Sequence, residues 1–322
     1  MTTTASPFAT HREIARPGLF VDPFVTADGA SRAAVAQTRL ETLWFNTGTL
    51  CNIACANCYI ESSPTNDALT YLTVEDVAQY LAEIADHGLP TREIGFTGGE
   101  PFMNPGILTM LQTSLDAGHE ALVLTNAMQP MLRWGDRLAD LAVLHRDRLT
   151  FRVSLDHHTE VVHDAERGSG SWDKAWEGLD WLGARDLRIA VAGRRLASEG
   201  EADARVAYAD LFRSRGLAID AADPAALVLF PEMEPDRAVP EITEACWGIL
   251  NRAPEQMMCA TSRMVVRRKG AAEAAVVACT LTPYDPQFEM GRTLREASGQ
   301  VQLNHPFCAQ FCVLGGASCS AG

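Results

Sequence analysis

Six short apolar segments, each followed by a helix-length stretch, constrain this chain more than any other feature of its sequence. Strand candidates recur at 41–47 (ETLWFNT), 92–97 (REIGFT), 120–125 (EALVLT), 149–155 (LTFRVSL), 187–192 (LRIAVA) and 226–231 (ALVLFP). Their β-branched and aromatic content, bounded by turn formers, suits strands. After the first, Thr73 and Asp76 form a capping pair, Val74, Val77, Leu81 and Ile84 share one face, and Gly88 supplies the stop. After the second, Asn104 is expected as N-cap, Pro105 at the first helical position and Gly118 as terminator. Strands alternating with helices imply parallel pairing with right-handed crossovers, and ligands that gather at the carboxyl ends of the strands. The expected fold class is therefore α/β, a partial (βα)6 barrel.

Three segments follow from this pattern. Residues 1–40 read as an N-terminal extension with little core of its own, 41–240 as the barrel, and 241–322 as a small C-terminal unit in which the alternation stops. There MVVRRKG and AAVVACTL predict a β-hairpin turning at Gly270, a short helix is expected over 291–297, and CAQFCVLGGASCSAG predicts an irregular, metal-wrapping coil. The net charge of −14 opposes a nucleic-acid partner, and the one dense basic run, Arg263, Arg267, Arg268 and Lys269, reads as a solvated face. No apolar run is long enough for a membrane span and the N-terminus lacks the order of a secretory signal, so the expected location is cytoplasmic.

Nine cysteines in a reducing compartment, gathered into two groups, point to metal ligation rather than disulfides. Cys51, Cys55 and Cys58 stand in C-x3-C-x2-C spacing just beyond the first strand. Thiolates select iron–sulfur clusters or zinc, and a set of three leaves one iron of a four-iron cluster open, whereas structural zinc wants four closed ligands. At the end of the second strand Gly98, Gly99 and Glu100 offer a side-chain-free backbone edge and a carboxylate able to pair with an ammonium.

Together and in this order, the three-cysteine loop and the GGE motif resemble those of the radical S-adenosylmethionine (SAM) superfamily over about residues 41–230. The resemblance implies a 4Fe-4S cluster on Cys51, Cys55 and Cys58 that chelates SAM, with Glu100 beside the amino group. Ser154 and Asp156 resemble the ribose-contacting motif, and Asn126 is a further SAM contact or a cap for the third helix. Asn57 stands where many members carry an aromatic residue, with Tyr59 just after the third cysteine. His157, His158 and His163, beside Asp164 and Arg167, read as a surface loop.

The C-terminal cysteines resemble a SPASM/twitch extension, which implies one auxiliary 4Fe-4S cluster on Cys259, Cys279, Cys308 and Cys312, with Cys319 as the substitute ligand and structural zinc as the alternative. Cys246 reads as a small buried hydrophobe. The implied activity is reductive cleavage of SAM and hydrogen abstraction from a small-molecule or peptide substrate, served by a one-electron donor such as flavodoxin or ferredoxin. With only about forty residues ahead of the first strand, a leader-binding domain is not expected. The rival expectations are a non-enzymatic iron–sulfur redox sensor or electron carrier, and transfer of the aminocarboxypropyl group of SAM.

Overall fold

The computed structural model describes residues 18–233 and 238–319. The N-terminal segment contributes β1 (Ala34–Val35). The barrel then runs β2 (Thr42–Asn46), α1 (Val74–Asp86), β3 (Glu93–Thr97), α2 (Ile107–Asp116), β4 (Glu120–Thr125), α3 (Gln129–Leu132), α4 (Gly135–Leu144), β5 (Leu149–Ser154), α5 (Glu160–Arg167), α6 (Ser171–Gly183), β6 (Arg188–Arg195), α7 (Glu201–Ser214) and β7 (Leu227–Pro231). After α8 (Ala245–Leu250) come β8 (Ser262–Val266), β9 (Ala275–Val277), β10 (Glu289–Gly291) and β11 (Val301–Gln302).

Strands β2 to β7 pair in parallel and in chain order, as the alternation requires. The C-terminal hairpin continues this sheet: β8 lies parallel to β2, with β9 and β10 antiparallel beyond it. Alternate strand residues face opposite sides. Leu43 and Phe45 of β2 join Phe96, Val123, Phe151 and the apolar faces of α1, α2 and α6 in one core. Trp44, between them in sequence, joins Leu122, Met264, Val277, Phe307 and Phe311 in a second. Helices thus cover one face of the sheet and the C-terminal segment fills the other. Each fully buried side chain of this size contributes about 1.5–3 kcal/mol.

Local chemistry sets the ends of these elements. Thr73 and Asp76 exchange reciprocal hydrogen bonds at the start of α1. Helix α2 begins at Ile107, later than expected, because Pro101–Met103 first form a 3-10 turn and Asn104 turns inward. Its amide donates to the carbonyls of Thr47 and Leu72 while its Oδ1 accepts from the N–H of Gly106.

Four other expectations are corrected. The segment 291–297 holds only a 3-10 turn at Glu296–Ser298, because the Glu296 carboxylate captures the N–H groups of Arg292 and Thr293. The closing segment is regular at Cys308–Val313, a π-helical turn seated on Phe230 of β7. The basic run is only partly a solvated face: Arg263 is 1% exposed and donates to the carbonyls of Cys259, Ser262, Ala297 and Gly299, while the part-exposed Arg267 and Arg268 and the exposed Lys269 pair with Asp76, Glu289 and Asp67. The histidine stretch is no surface loop either, since His157 is buried and His163 sits wholly buried inside α5. Among the described residues no helix is long and apolar enough to cross a membrane.

Candidate active site

The loop after β2 is held at both ends. Leu50 bridges to Ser63, and the N–H of Cys51 donates to the Ser63 carbonyl. In the middle, Glu166 of α5 accepts from the N–H and the amide of Asn57, both at 2.8 Å, while its carbonyl accepts from Ala56. Asn57 therefore anchors the cysteine loop to α5, a role its sequence position did not reveal. Tyr59 turns inward, with the Arg194 guanidinium 5.7 Å from its ring and Phe307 6.4 Å away.

Gly98 and Gly99 bring the tip of β3 against the root of this loop. A Cβ on Gly99 would lie 2.1 Å from the Leu50 carbonyl oxygen, and Gly98 has φ +138° with the Gly48 oxygen 2.5 Å from where its Cβ would stand. The N–H of Gly99 donates to Gly48 and that of Glu100 to Leu50. The glycine pair is thus required by packing as well as suited to a ligand.

Glu100 is 1% exposed and accepts from the N–H of Phe102, the hydroxyl of Thr125 and the N–H of Asn126. It ties the β3 tip to the β4 tip from behind the glycines. Burial pushes its carboxyl up to about 7, against those hydrogen bonds. Asn126 accepts from Met128 through Oδ1 and donates to Asn52, with Cys51 Sγ 3.9 Å from its amide nitrogen.

One cavity of about 190 Å³ collects most of the residues singled out in the sequence. Cys51, Cys55, Cys58, Asn57, Tyr59, Gly98, Gly99, Asn126, Ser154 and Asp156 line it, and Glu100 does not. It also brings in two cations that sequence reasoning had not assigned to a site, Arg167 and Arg194. Arg167 grips Asp156 through two nitrogens, at 2.7 and 3.3 Å. Burial works to raise the Asp156 carboxyl, but Arg167 and then Arg194 outweigh it and keep it ionised below the usual range. Arg194 pairs with Glu166 at 3.1 Å, and its Nη1 is buried with no partner in the protein.

The C-terminal cysteines divide. Cys259, Cys279, Cys308 and Cys312 line a separate cavity of about 20 Å³ among Met257, Met258, Phe288, Leu303 and Phe307, where the Thr282 hydroxyl is buried without a partner. Cys319 instead lines the first cavity, its thiol accepting from the Thr280 hydroxyl, and its carbonyl accepts from Arg152 inside the barrel. Cys246 is partly buried and near Thr243.

Spacing tests what these thiols suit. Around one tetrahedral zinc, sulfurs stand about 3.8 Å apart, from Zn–S bonds of about 2.3 Å. Among the described residues no three cysteine sulfurs lie within 4.8 Å of one another. As placed, the cysteine thiols form no closed tetrahedral set for a single ion among the described residues. Burial pushes Cys51 and Cys279 up to about 12 and Cys55 and Cys259 up to about 11. Such thiols become ligands when a metal takes the place of their protons.

A profile of the Radical SAM superfamily matches residues 45–210, just over half of the 322 residues. The chain belongs to that superfamily. It is accordingly an enzyme whose class uses a 4Fe-4S cluster and SAM. Over 143 residues it is 31% identical to AlbA of Bacillus subtilis (strain 168), the antilisterial bacteriocin subtilosin biosynthesis protein, covering 44% of this chain and 30% of AlbA. In fold it is similar to Streptococcus suis SuiB bound to its precursor peptide SuiA, with a TM-score of 0.57 at 10% identity over 80% of this chain and 63% of SuiB. It is also similar to anSMEcpe with bound AdoMet, at 0.57 and 12% identity over 83% of this chain and 79% of the other. The chain thus spans less than a third of the length of AlbA and less than two thirds of that of SuiB.

Proposed function

We propose that this radical SAM enzyme modifies a peptide, with Cys51, Cys55 and Cys58 holding the SAM-binding cluster and Cys259, Cys279, Cys308 and Cys312 an auxiliary 4Fe-4S cluster. In this reading residues 41–240 form the catalytic barrel and 241–322 the auxiliary unit. The observation that carries it is the convergence of three cysteines, the glycine edge and the Ser154–Asp156 strand end on one cavity. Bound there, the cluster and SAM supply one electron and a 5′-deoxyadenosyl radical that abstracts hydrogen from the substrate.

The chain's own residues fix where this happens. Gly98 and Gly99 leave room for the methionine part of SAM, and Glu100 acts by holding β3 to β4 while its charge draws the ammonium. Asp156, kept ionised by Arg167, and the Ser154 hydroxyl suit ribose hydroxyls. Leu124, Leu281, Phe230 and Phe311 wall the cavity and exclude water from a radical. Arg194 Nη1 offers an unused donor suited to a peptide carbonyl or carboxylate. The peptide class is supported by the likeness to AlbA and by the fold shared with a protein seen holding a precursor peptide. A flavodoxin or ferredoxin is the proposed electron donor.

The test is anaerobic reconstitution followed by SAM and dithionite. Formation of 5′-deoxyadenosine supports the reading; its absence, with SAM leaving the cluster's electron paramagnetic resonance unchanged, sinks it.

A further inference from the structure

Outside both cysteine cavities, the loops that follow β5 and β6 bring two imidazoles and a carboxylate together. The ligating atoms of His157, His158 and Glu199 lie within 4.8 Å of one another, the one such trio of His, Cys, Asp or Glu among the described residues. The His157 and His158 rings are 3.9 Å apart, and His157 Nε2 is 2.8 Å from Glu199 Oε1. Glu199 Oε2 also accepts from the N–H of Leu196. His158 packs edge-on against Tyr208, and its Nδ1 is buried with no hydrogen-bond partner. Charge and packing thus leave one imidazole nitrogen unused beside a carboxylate.

The geometry points to a divalent metal site formed by His157, His158 and Glu199. Two imidazoles and one carboxylate suit a borderline cation such as Zn2+, in contrast to the soft thiolate sets elsewhere in the chain. The Thr159 hydroxyl is the available acceptor for the distal nitrogen of His157. His157 Nδ1 lies 2.8 Å from the Thr159 hydroxyl and 3.0 Å from the Thr159 N–H. Without metal, Nδ1 accepts from that N–H and Nε2–H donates to Glu199. A cation on Nε2 displaces that proton to Nδ1, and the ring must then turn so that Nδ1–H meets the Thr159 hydroxyl and no longer the Thr159 N–H. A partner on the distal nitrogen is what fixes a ligating histidine.

Donor atoms around such an ion stand about 3.3 Å apart, and those of the trio already lie within 4.8 Å of one another. His157 adjoins Asp156, whose carbonyl accepts from the N–H of Arg194. A cation here would therefore cross-tie the two loops that carry these cavity residues, without itself entering the cavity.

The site is tested on the reconstituted holoprotein, whose cysteines carry iron, titrated with Zn2+ against a chromophoric chelator. One zinc per chain is expected, with nitrogen and oxygen scatterers at about 2.0–2.1 Å in X-ray absorption and none at about 2.3 Å. His158→Ala and Glu199→Gln should each weaken it by about tenfold or more with iron content unchanged. No bound zinc, sulfur scatterers, or equal affinity in both variants would overturn the site. If His158→Ala lowers iron content, the part-exposed Glu199→Gln decides alone. Neither result bears on SAM cleavage, so this site and the proposed function fail separately.

Discussion

The two cysteine cavities are built in opposite ways. The first takes its thiols from eight consecutive residues of one strand-end loop and opens into about 190 Å³ lined by Asn126, Ser154, Asp156, Arg167 and Arg194. The second gathers four thiols from three distant segments into about 20 Å³ walled by methionine, leucine and phenylalanine. A local loop can present a centre to a ligand because the strand ends beside it stay free. A cavity assembled over some fifty residues of chain has little left to present, and in the proposed reading a centre there ties the tail to the sheet and handles electrons.

This contrast predicts the largest effect at the first site. Replacing Cys51, Cys55 and Cys58 together by Ala should remove about four of about eight irons and all 5′-deoxyadenosine formation, leaving the second centre spectroscopically intact. Retained SAM cleavage would dissolve the distinction.

Next comes the tail. Cys308→Ala with Cys312→Ala should also remove about four irons, yet leave SAM cleavage, and should raise proteolysis of the C-terminal segment, whose remaining ties include Arg152 to the Cys319 carbonyl. Iron analysis with Mössbauer spectroscopy reads this, and a starting value near four irons with zinc at the second site would break the comparison. Cys319→Ala sharpens it, because a thiol that faces the first cavity should be removable with no loss of iron.

A smaller effect is expected at Gly99→Ala, where the new methyl meets the Leu50 carbonyl. The displaced loop should cost about 1–3 kcal/mol and weaken SAM binding, read by thermal melting and by perturbation of the cluster's spectrum.

The smallest concerns pH. The Glu100 carboxyl, ordinarily near 4.5, is raised to about 7 in the fold by burial, so the folded state holds a proton that the unfolded state has released between these values. Stability should fall as pH rises from about 4.5 to about 7, and Glu100→Gln should flatten that slope. An unchanged slope would show that Glu100 is not the group responsible. The same substitution sets an amide NH2 against at least the Asn126 N–H, one of the carboxylate's three donors, so SAM affinity and melting temperature should drop together.

The expected strands were legible because parallel strands buried on both faces need continuous apolar runs, and these stand out against amphipathic helices. Thr73 and Asp76 marked the start of α1 for an equally local reason. Expectations failed where a side chain's partner lies far along the chain. Arg263 looked like part of a charged surface run, yet four backbone carbonyls enclose it, two of them from Ala297 and Gly299 more than thirty residues on. Asn57 looked like a departure from a family pattern, yet Glu166, 109 residues on, holds it. Arg167 looked like a loop residue until α5 turned it onto Asp156.

The sequence by itself determined the fold class, the three-cysteine loop and the superfamily, since each is written in spacing over a few residues. Only the tertiary structure decided which thiols share a cavity. Cys312 and Cys319 lie seven residues apart on one closing segment, but the π-helical turn sends the first among apolar side chains and the second toward Thr280 and the open cavity. Adjacent positions in a chain are separated by the direction of their side chains, and that direction is set by what each face packs against.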